Sequence, residues 1–435
     1  SGAVAVLTDS VGATMVPTGT PVAVVDAPRP LLGSLAAKIY GEPAKDFATI
    51  GVTGTQGKTT TTLLAEAGMQ RAGITAAAIG TVGTRIAGME VATALTTPEA
   101  PDLHGLFAVM SERRVRACAM EVSSHALRLG RVDGLVFDVA LFLNLGRDHL
   151  DFHSSLEDYY QAKASLFTPE RARRGLVNID DEHGRRLARE SAIPVQTIST
   201  HDLAADWSVT DVDLQRDHST FTVRGPMGGL HLRMGAPMPG QVNVANALAA
   251  VAGCAAAGLD AGAVAAGITA SDGVPGRFER IEEGQDFTVV VDYAHKPDAV
   301  EAALRTLRPL TDHRILVVIG AGGDRDPGKR PMMGKIAAAL ADVLIVTDDN
   351  PRGEDPAQIR QAILRGTNGV RGAQVYEIGD RAEAIQEALR QARPGDIVLI
   401  AGKGHETGQQ VGATVHPFDD RDVSRRALAR LLGGA

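Results

Sequence analysis

The stretch Gly51-Val-Thr-Gly-Thr-Gln-Gly-Lys-Thr-Thr-Thr61 decides how the chain is read. It lies between an apolar run, Phe47 to Val52, and an amphipathic run beginning near Thr60, a succession that reads as strand, glycine-rich turn and helix N-terminus. Such a junction binds phosphate. Gly54 and Gly57 let the backbone approach an anion, the turn N–H groups and the helix dipole point at it, and Lys58 adds a positive charge. Thr59 would offer a hydroxyl to magnesium. The P-loop pattern is matched incompletely: its first glycine falls on Val52, with Gly51 one place early, while Gly-x-x-Gly-Lys-Thr is intact. The bland alternative is a turn with a chance Lys-Thr after it, and the flanking strand and helix weigh against that.

At 435 residues the chain suggests about three domains, with ample apolar content for real cores. A net charge of −8 without a concentrated basic stretch argues against a nucleic-acid partner. Cys118 lies in an apolar run and Cys254 in an alanine-rich helix, so both are expected to be buried packing residues rather than a disulfide or a zinc site. No apolar stretch of about 18 residues or more and no signal layout occurs, so no membrane partner and a cytoplasmic location are expected. Eight of the 44 basic residues are lysine, which makes each lysine worth inspecting.

Residues 1–46 hold two short apolar strands, Val4 to Leu7 and Val22 to Val25, and a helix near Leu31 to Tyr40. That is too little to fold alone, so the segment is expected to be the tail of a larger domain, with part of a ligand site lying outside it. From Phe47 onward apolar strands alternate with helical stretches, the signature of a mostly parallel α/β sheet. Further strands are expected at Ala76 to Thr81, Arg116 to Val122 and Val136 to Leu145. Ligands bind at the carboxyl ends of such strands, so Glu121 and His149, in the polar clusters that close the last two, are expected to converge on the phosphate loop. Lys163 sits in a helical segment, residues 156–170, where an exposed lysine is the ordinary reading. Trp207 to Arg233 alternates with period two, as hairpins do. Asn243 and Asn246 open an alanine-rich helix, where they could cap it or face a base. A boundary falls near Gly273 to Arg277. The remainder reads as a second α/β domain, its strands ending in Asp292 to Asp298, Gly320 to Arg330, Asp348 to Pro356 and Ala401 to Thr407.

Taken together, GTQGKTTT (Gly54 to Thr61), TTPEA (Thr96 to Ala100), MEVSSHAL (Met120 to Leu127), RDHLDFH (Arg147 to His153), QAKASLF (Gln161 to Phe167), NVANALAA (Asn243 to Ala250), PGRFE (Pro275 to Glu279) and the four strand endings resemble the Mur ligases over nearly the whole chain. Within that family they are most similar to the branch that adds meso-diaminopimelate during peptidoglycan precursor synthesis. The resemblance implies three parts: the remnant of an N-terminal uridine-nucleotide domain (1–46), a central P-loop ATPase domain (47–276) and a C-terminal Rossmann-like domain (277–435) that receives the amino acid. It implies that Thr59 and Glu121 hold one Mg²⁺, and that Glu121, His149 and a carbamylated Lys163 hold or organise a second. ATP would be contacted by Gly54, Thr55, Gln56, Gly57, Lys58, Thr59, Thr60, Asn243, Asn246, Arg277, Asp292 and His295. Thr96, Thr97, Ser123, Arg131 and Lys163 would meet the UDP-N-acetylmuramoyl-L-Ala-D-Glu substrate.

The family's diaminopimelate signature, Asp-Asn-Pro-Arg, stands here as Asp349, Asn350, Pro351 and Arg352. Meso-diaminopimelate differs from lysine by a distal carboxylate, for which arginine is the natural fork. Arg352, Arg325 and Asn350 would hold that end, and Gly402 and Glu406 its ammonium. A monomer is the family expectation. Two other readings stay open: a folylpolyglutamate synthetase, which shares the phosphate loop and the carbamylated lysine, and a P-loop switch or motor ATPase that forms no bond.

Overall fold

The computed structural model describes residues 2–433. The chain divides into two compact units. The first comprises Ser1–Val209, Val223–Leu232 and Asn246–Ile268, and the second Thr210–Thr222, Arg233–Ala245 and Thr269–Ala435.

The first unit is built on an eight-stranded sheet in the order Val195–Ile198, Gly175–Asn178, Val139–Phe142, Ala48–Thr53, Ala117–Glu121, Ala76–Gly80, Gly83–Ile86, Met89–Val91. The first six strands run parallel, and the last two return antiparallel. The central strands are near-continuous apolar runs because helices cover both faces of a parallel sheet. Ile50, Val52, Ala76 to Ile79 and Ala117 to Met120 are accordingly buried. The expected strands are present, though Val136 to Leu145 contributes only Val139–Phe142. The helix expected over 156–170 is Leu156–Ala164 and stops at Ser165. In the N-terminal segment Val6–Thr8 pairs parallel with Val22–Val24, and the helix Arg29–Ile39 lies against the turn at Asp133. A Cβ at Gly33 would stand 2.0 Å from the Asp133 carbonyl oxygen, so only glycine permits that approach.

Ser208–Leu214, Ser219–Arg224 and His231–Ala236 form a three-stranded sheet in which consecutive strands are neighbours, as the expected hairpins require. The helix Gln241–Ala256 follows.

The second unit has a six-stranded sheet ordered Glu279–Ile281, Thr288–Asp292, Ile397–Ala401, Ile315–Ile319, Val343–Val346, Gln374–Glu377, parallel except for its first strand. A hairpin that the alternation does not betray, Gly408–Val411 with Thr414–Pro417, follows the third of these.

Beneath this sheet's carboxyl ends lies a fully buried ion pair, with both Arg381 and Asp420 side chains 0% exposed. Nε and Nη2 of Arg381 donate to Oδ1 and Oδ2 of Asp420, each at 2.7 Å, and Nη2 also reaches the Ala401 carbonyl at 3.0 Å. Its other terminal nitrogen lies 3.4 Å from the Asp348 carbonyl oxygen. The guanidinium therefore ties together the ends of the two strands that carry the Asp349 and Gly402 loops. Removing one partner strands the other charge in a dry interior, which costs about 3–5 kcal/mol. Asp420→Asn should lose stability of that order in chemical denaturation, and Arg381→Met with Asp420→Leu should lose less; equal losses would refute the account.

Candidate active site

The sheet register brings the phosphate loop and its neighbours together. Val52 stands beside Glu121 on one side and Thr53 beside Phe142 on the other, so the loop at 54–57 leaves the sheet between Glu121 and Asn144. The helix Lys58–Arg71 begins behind Gly57, at φ 86°, with no side-chain cap, the arrangement in which an anion can serve as the cap. A Cβ at Gly57 would lie 2.4 Å from Asn246 Oδ1, so the turn must be bare. Asn246 Oδ1 also lies 3.5 Å from the Thr61 hydroxyl, which places Asn246 against the loop. Lys58 folds back, donating to the carbonyls of Gly54 (2.7 Å) and Thr55 (3.1 Å).

Two residues outside the expected set hold this loop. Asn144 Oδ1 accepts from the N–H groups of Thr55 (3.1 Å) and Gln56 (2.9 Å), and its Nδ2 donates to the Gln56 carbonyl at 3.1 Å. Its only sequence signal is an asparagine just beyond a buried strand. Tyr159 sets its hydroxyl 3.2 Å from that of Thr55, which in turn accepts the Gly146 N–H at 2.9 Å. The N–H groups of Thr55 and Gln56 being engaged by Asn144, an anion is left to the turn at Gly57 and the helix start.

Lys163 is not the exposed helix lysine that its flanking alanines suggest. It is 1% exposed, donates to the Gly54 carbonyl at 2.8 Å and sits 4.5 Å from the centre of the Tyr159 ring. His149 adopts a positive φ of 52°, with Nε2 3.3 Å from Asp148 and its ring 4.7 Å from that of His125. The Glu121 carboxylate, 1% exposed, accepts from the Thr81 N–H (2.7 Å) and hydroxyl (3.2 Å), and that hydroxyl lies 3.2 Å from Thr96. Thr97 is fully buried and donates to the Glu121 carbonyl at 2.8 Å while accepting the Ser123 N–H. Arg131 is 2.8 Å from Glu99 and 3.4 Å from the Thr97 carbonyl. Thr96, Thr97, Ser123 and Arg131 thus form one network at the end of the Glu121 strand.

In the second unit Asp292 closes its strand, accepting the N–H groups of Phe278 (2.9 Å) and Ala294 (2.8 Å). Burial pushes its carboxyl up, against the pull of the Arg277 guanidinium. Arg277 lies over the Tyr293 ring at 4.4 Å. His295 is linked through Nδ1 to the Tyr293 carbonyl at 2.7 Å, and Lys329 donates to its own carbonyl at 3.0 Å. Asn243 donates to the Pro239 carbonyl at 2.8 Å, which fixes its side chain at the helix start.

The Asp349 to Arg352 loop is buried except at Arg352, which takes a positive φ of 52° and donates to the Gly323 carbonyl at 2.8 Å. Asp349 Oδ1 is buried with no hydrogen-bond partner among the described residues. Asn350 donates to Glu406 at 2.9 Å, and Gly402, at φ 124°, brings its backbone against the Asp349 carboxylate. Arg325 is exposed, on the loop that leads into the helix Lys329–Leu340.

Two outcomes follow from this geometry. Asn144→Asp keeps the acceptor but loses the donor to Gln56 and adds an anion beneath a phosphate site, so kcat/KM for ATP should fall by about tenfold or more. Asn144→Ala, read by the same kinetics, should fall less, and the reverse order would refute the assignment. Burial, with Lys296 and Lys329 as cations nearby, pushes His295 down to about 3. Its folded value lies below the ordinary histidine value of about 6.5, so the unfolded chain binds the extra proton between them. The contribution to stability is complete above that window and is lost as pH falls through it; ring NMR titration should show His295 neutral at pH 5, and a midpoint near 6.5 would exclude this.

A model of the Mur ligase middle domain matches residues 52–254, and one of the Mur ligase glutamate ligase domain matches 276–404. A Streptomyces coelicolor protein named UDP-N-acetylmuramoyl-L-alanyl-D-glutamate–2,6-diaminopimelate ligase is 53% identical over 99% of this chain and 86% of its own length. A Corynebacterium glutamicum protein of the same name is 51% identical over 99% and 85%. A solved structure with that name superposes with a TM-score of 0.70 at 33% identity, covering 99% of this chain and 88% of the other. A Mycobacterium tuberculosis folylpolyglutamate synthase shares the fold, with a TM-score of 0.66 at 17% identity over 94% and 96%. With its phosphate loop, its strand-end carboxylates and its Asp-Asn-Pro-Arg loop all in place, the chain belongs to the Mur ligase family.

Proposed function

We propose that this chain is an ATP-dependent amide ligase that joins meso-diaminopimelate to the D-glutamate of UDP-N-acetylmuramoyl-L-Ala-D-Glu, in the cytoplasm and as a monomer. The observation that carries the reading is the Asp349 to Arg352 loop, where Arg352 is held in a left-handed conformation beside the Gly323 carbonyl. The relatives' names point the same way. We assign residues 1–46 to the uridine-nucleotide part, 47–276 to the ATPase and 277–435 to the amino-acid domain. Among the described residues no helix is long and apolar enough to cross a membrane.

A carboxylate is a poor electrophile because its oxygen leaves badly. The D-glutamate carboxylate therefore attacks the γ-phosphate of ATP, giving an acyl phosphate and ADP. The neutral amine of diaminopimelate then attacks the acyl carbon, and phosphate leaves as the amide forms. In the first step two anions must meet, and Lys58 is the cation at the turn that offsets their repulsion. Gly57 keeps the turn bare for the phosphate, and Asn246 braces it. Arg277, Asp292, His295 and Asn243 are assigned to the nucleotide, with Asn246.

Magnesium fits the donors here: Glu121 is a buried carboxylate at the strand end beside the loop, and Thr59 is buried in the first turn of the helix behind it. Thr59 and Glu121 would hold one ion and Glu121, His149 and a carbamylated Lys163 would hold or organise a second, and when bound they supply positive charge against the transferring phosphoryl group. Carbamylation would turn the buried Lys163 cation into oxygen donors of the kind Mg²⁺ prefers.

The test is ADP and phosphate release with UDP-N-acetylmuramoyl-L-Ala-D-Glu and either meso-diaminopimelate or L-lysine. Release should require diaminopimelate, because lysine leaves Arg352 without its anion, a mismatch that can discriminate by about 10⁴. Arg352→Ala should remove most of that preference, and equal turnover of both amino acids by the unaltered enzyme would overturn the proposal.

A further inference from the structure

Lys403 is the middle residue of Gly402-Lys403-Gly404, and its side chain is 0% exposed. A desolvated ammonium must find acceptors for its donors. Lys403 Nζ donates to Asn350 Oδ1 at 3.2 Å and Glu406 Oε2 at 3.0 Å, and stands 3.7 Å from Asp349 Oδ1. The glycines on either side are required by the fit. A Cβ at Gly404 would lie 2.7 Å from the Gly276 carbonyl oxygen and 2.8 Å from Tyr293 Cβ, and one at Gly402 would lie 3.0 Å from Asp349 Oδ2.

The bonds around Lys403 leave Asn350 no freedom. Its oxygen accepts from Lys403 and from the Gln410 N–H at 2.8 Å, while its nitrogen donates to Glu406 Oε2 at 2.9 Å. An inverted amide would set donor against donor at Lys403 and acceptor against acceptor at Glu406. Two carboxylates, Asp349 and Glu406, also flank this buried cation, and without it their mutual repulsion in a low-dielectric pocket would be offset less.

We propose that Lys403 is a positioning residue of the amino-acid pocket, holding Asn350 and Glu406 in the geometry that receives the distal ammonium and carboxylate of a diamino diacid. This rests on the assignment of Asn350 and Glu406 to diaminopimelate made above. The side chain of Lys403 acts through those two and touches no reacting atom.

Lys403→Met, of similar shape but with neither charge nor donors, should raise KM for meso-diaminopimelate at least tenfold while KM for ATP and for the UDP-linked substrate stays within twofold. Adding Glu406→Gln to Lys403→Met should raise the KM for diaminopimelate by a smaller factor than Glu406→Gln does in the unaltered enzyme, since part of what Glu406 contributes already passes through Lys403. Lys403→Gln keeps an uncharged donor and guards against a variant that does not fold; its KM for diaminopimelate should rise in the same direction by less. Unchanged KM values, or a parallel rise in all three with a lowered Tm, would overturn the proposal. Wild-type ADP release indifferent to the amino acid would instead remove the reading on which it rests.

Discussion

The parallel hydrogen bonding of Ala48–Thr53 to its two neighbours is the constraint on which the first unit depends. Parallel strands finish on one edge, so three chain segments leave the sheet side by side: the phosphate loop, the Glu121 segment and the Asn144 segment. A shift by one residue would bury the loop's carbonyls and turn Glu121 to the opposite face of the sheet. The interior on both faces resists that slip, because Ile50, Val52 and most positions of the neighbouring strands are already apolar and buried. Asn144 then makes the loop rigid, at the cost of loop N–H groups that an anion could otherwise use.

The second unit meets the same requirement with charge. Its strand ends carry Asp292, the Asp349 loop and the Gly402 loop, and the buried Arg381–Asp420 pair bonds to carbonyls at two of these ends. Left-handed backbone at non-glycine residues follows the same distribution. Among the described residues, His149, Phe278, Asp324 and Arg352 take this backbone in the motifs, where a side chain must be aimed from a tight turn, while Ala87 closes an ordinary hairpin and Arg114 follows a helix end. At Arg352 the backbone is fixed from both sides, its N–H donating to the Gln410 carbonyl at 3.1 Å and its carbonyl accepting the Gly412 N–H at 2.7 Å.

The parallel sheets, the phosphate loop and the strand-end motifs were legible because each is a local pattern: an apolar run, then glycine, then charge. The hairpin at 408–417 was not, since Gly-Gln-Gln-Val and Thr-Val-His-Pro carry no alternation and are largely exposed. Asn144 and Tyr159 were invisible for a different reason. Their importance lies in partners about 90 and 104 residues away in sequence, and nothing in an isolated asparagine or helix tyrosine announces such a partner. Thr97, a motif residue, has a bond of the same kind, its hydroxyl donating to the Glu121 carbonyl 24 residues away. Lys163 was misleading by composition, because an alanine-flanked helix lysine is ordinarily solvated, and only the fold shows its helix turned inward.

The few lysines are unevenly placed. Of eight lysines, Lys58, Lys163, Lys329 and Lys403 each donate to acceptors in the motifs, while the surface ion pairs are made almost wholly by arginine. An ammonium is compact and directs its donors tetrahedrally, so it can sit above one carbonyl or among three side chains where a planar guanidinium would not fit. Lys58 and Lys163 converge on the same Gly54 carbonyl oxygen, and at Lys403 a single nitrogen bridges a carboxylate and an amide. Arginine could carry the charge at each place but not the geometry. Where a planar fork is needed instead, to seize a carboxylate broadside, the chain uses arginine, at Arg381 against Asp420 in its core and at Arg330 against Glu354 beside the pocket.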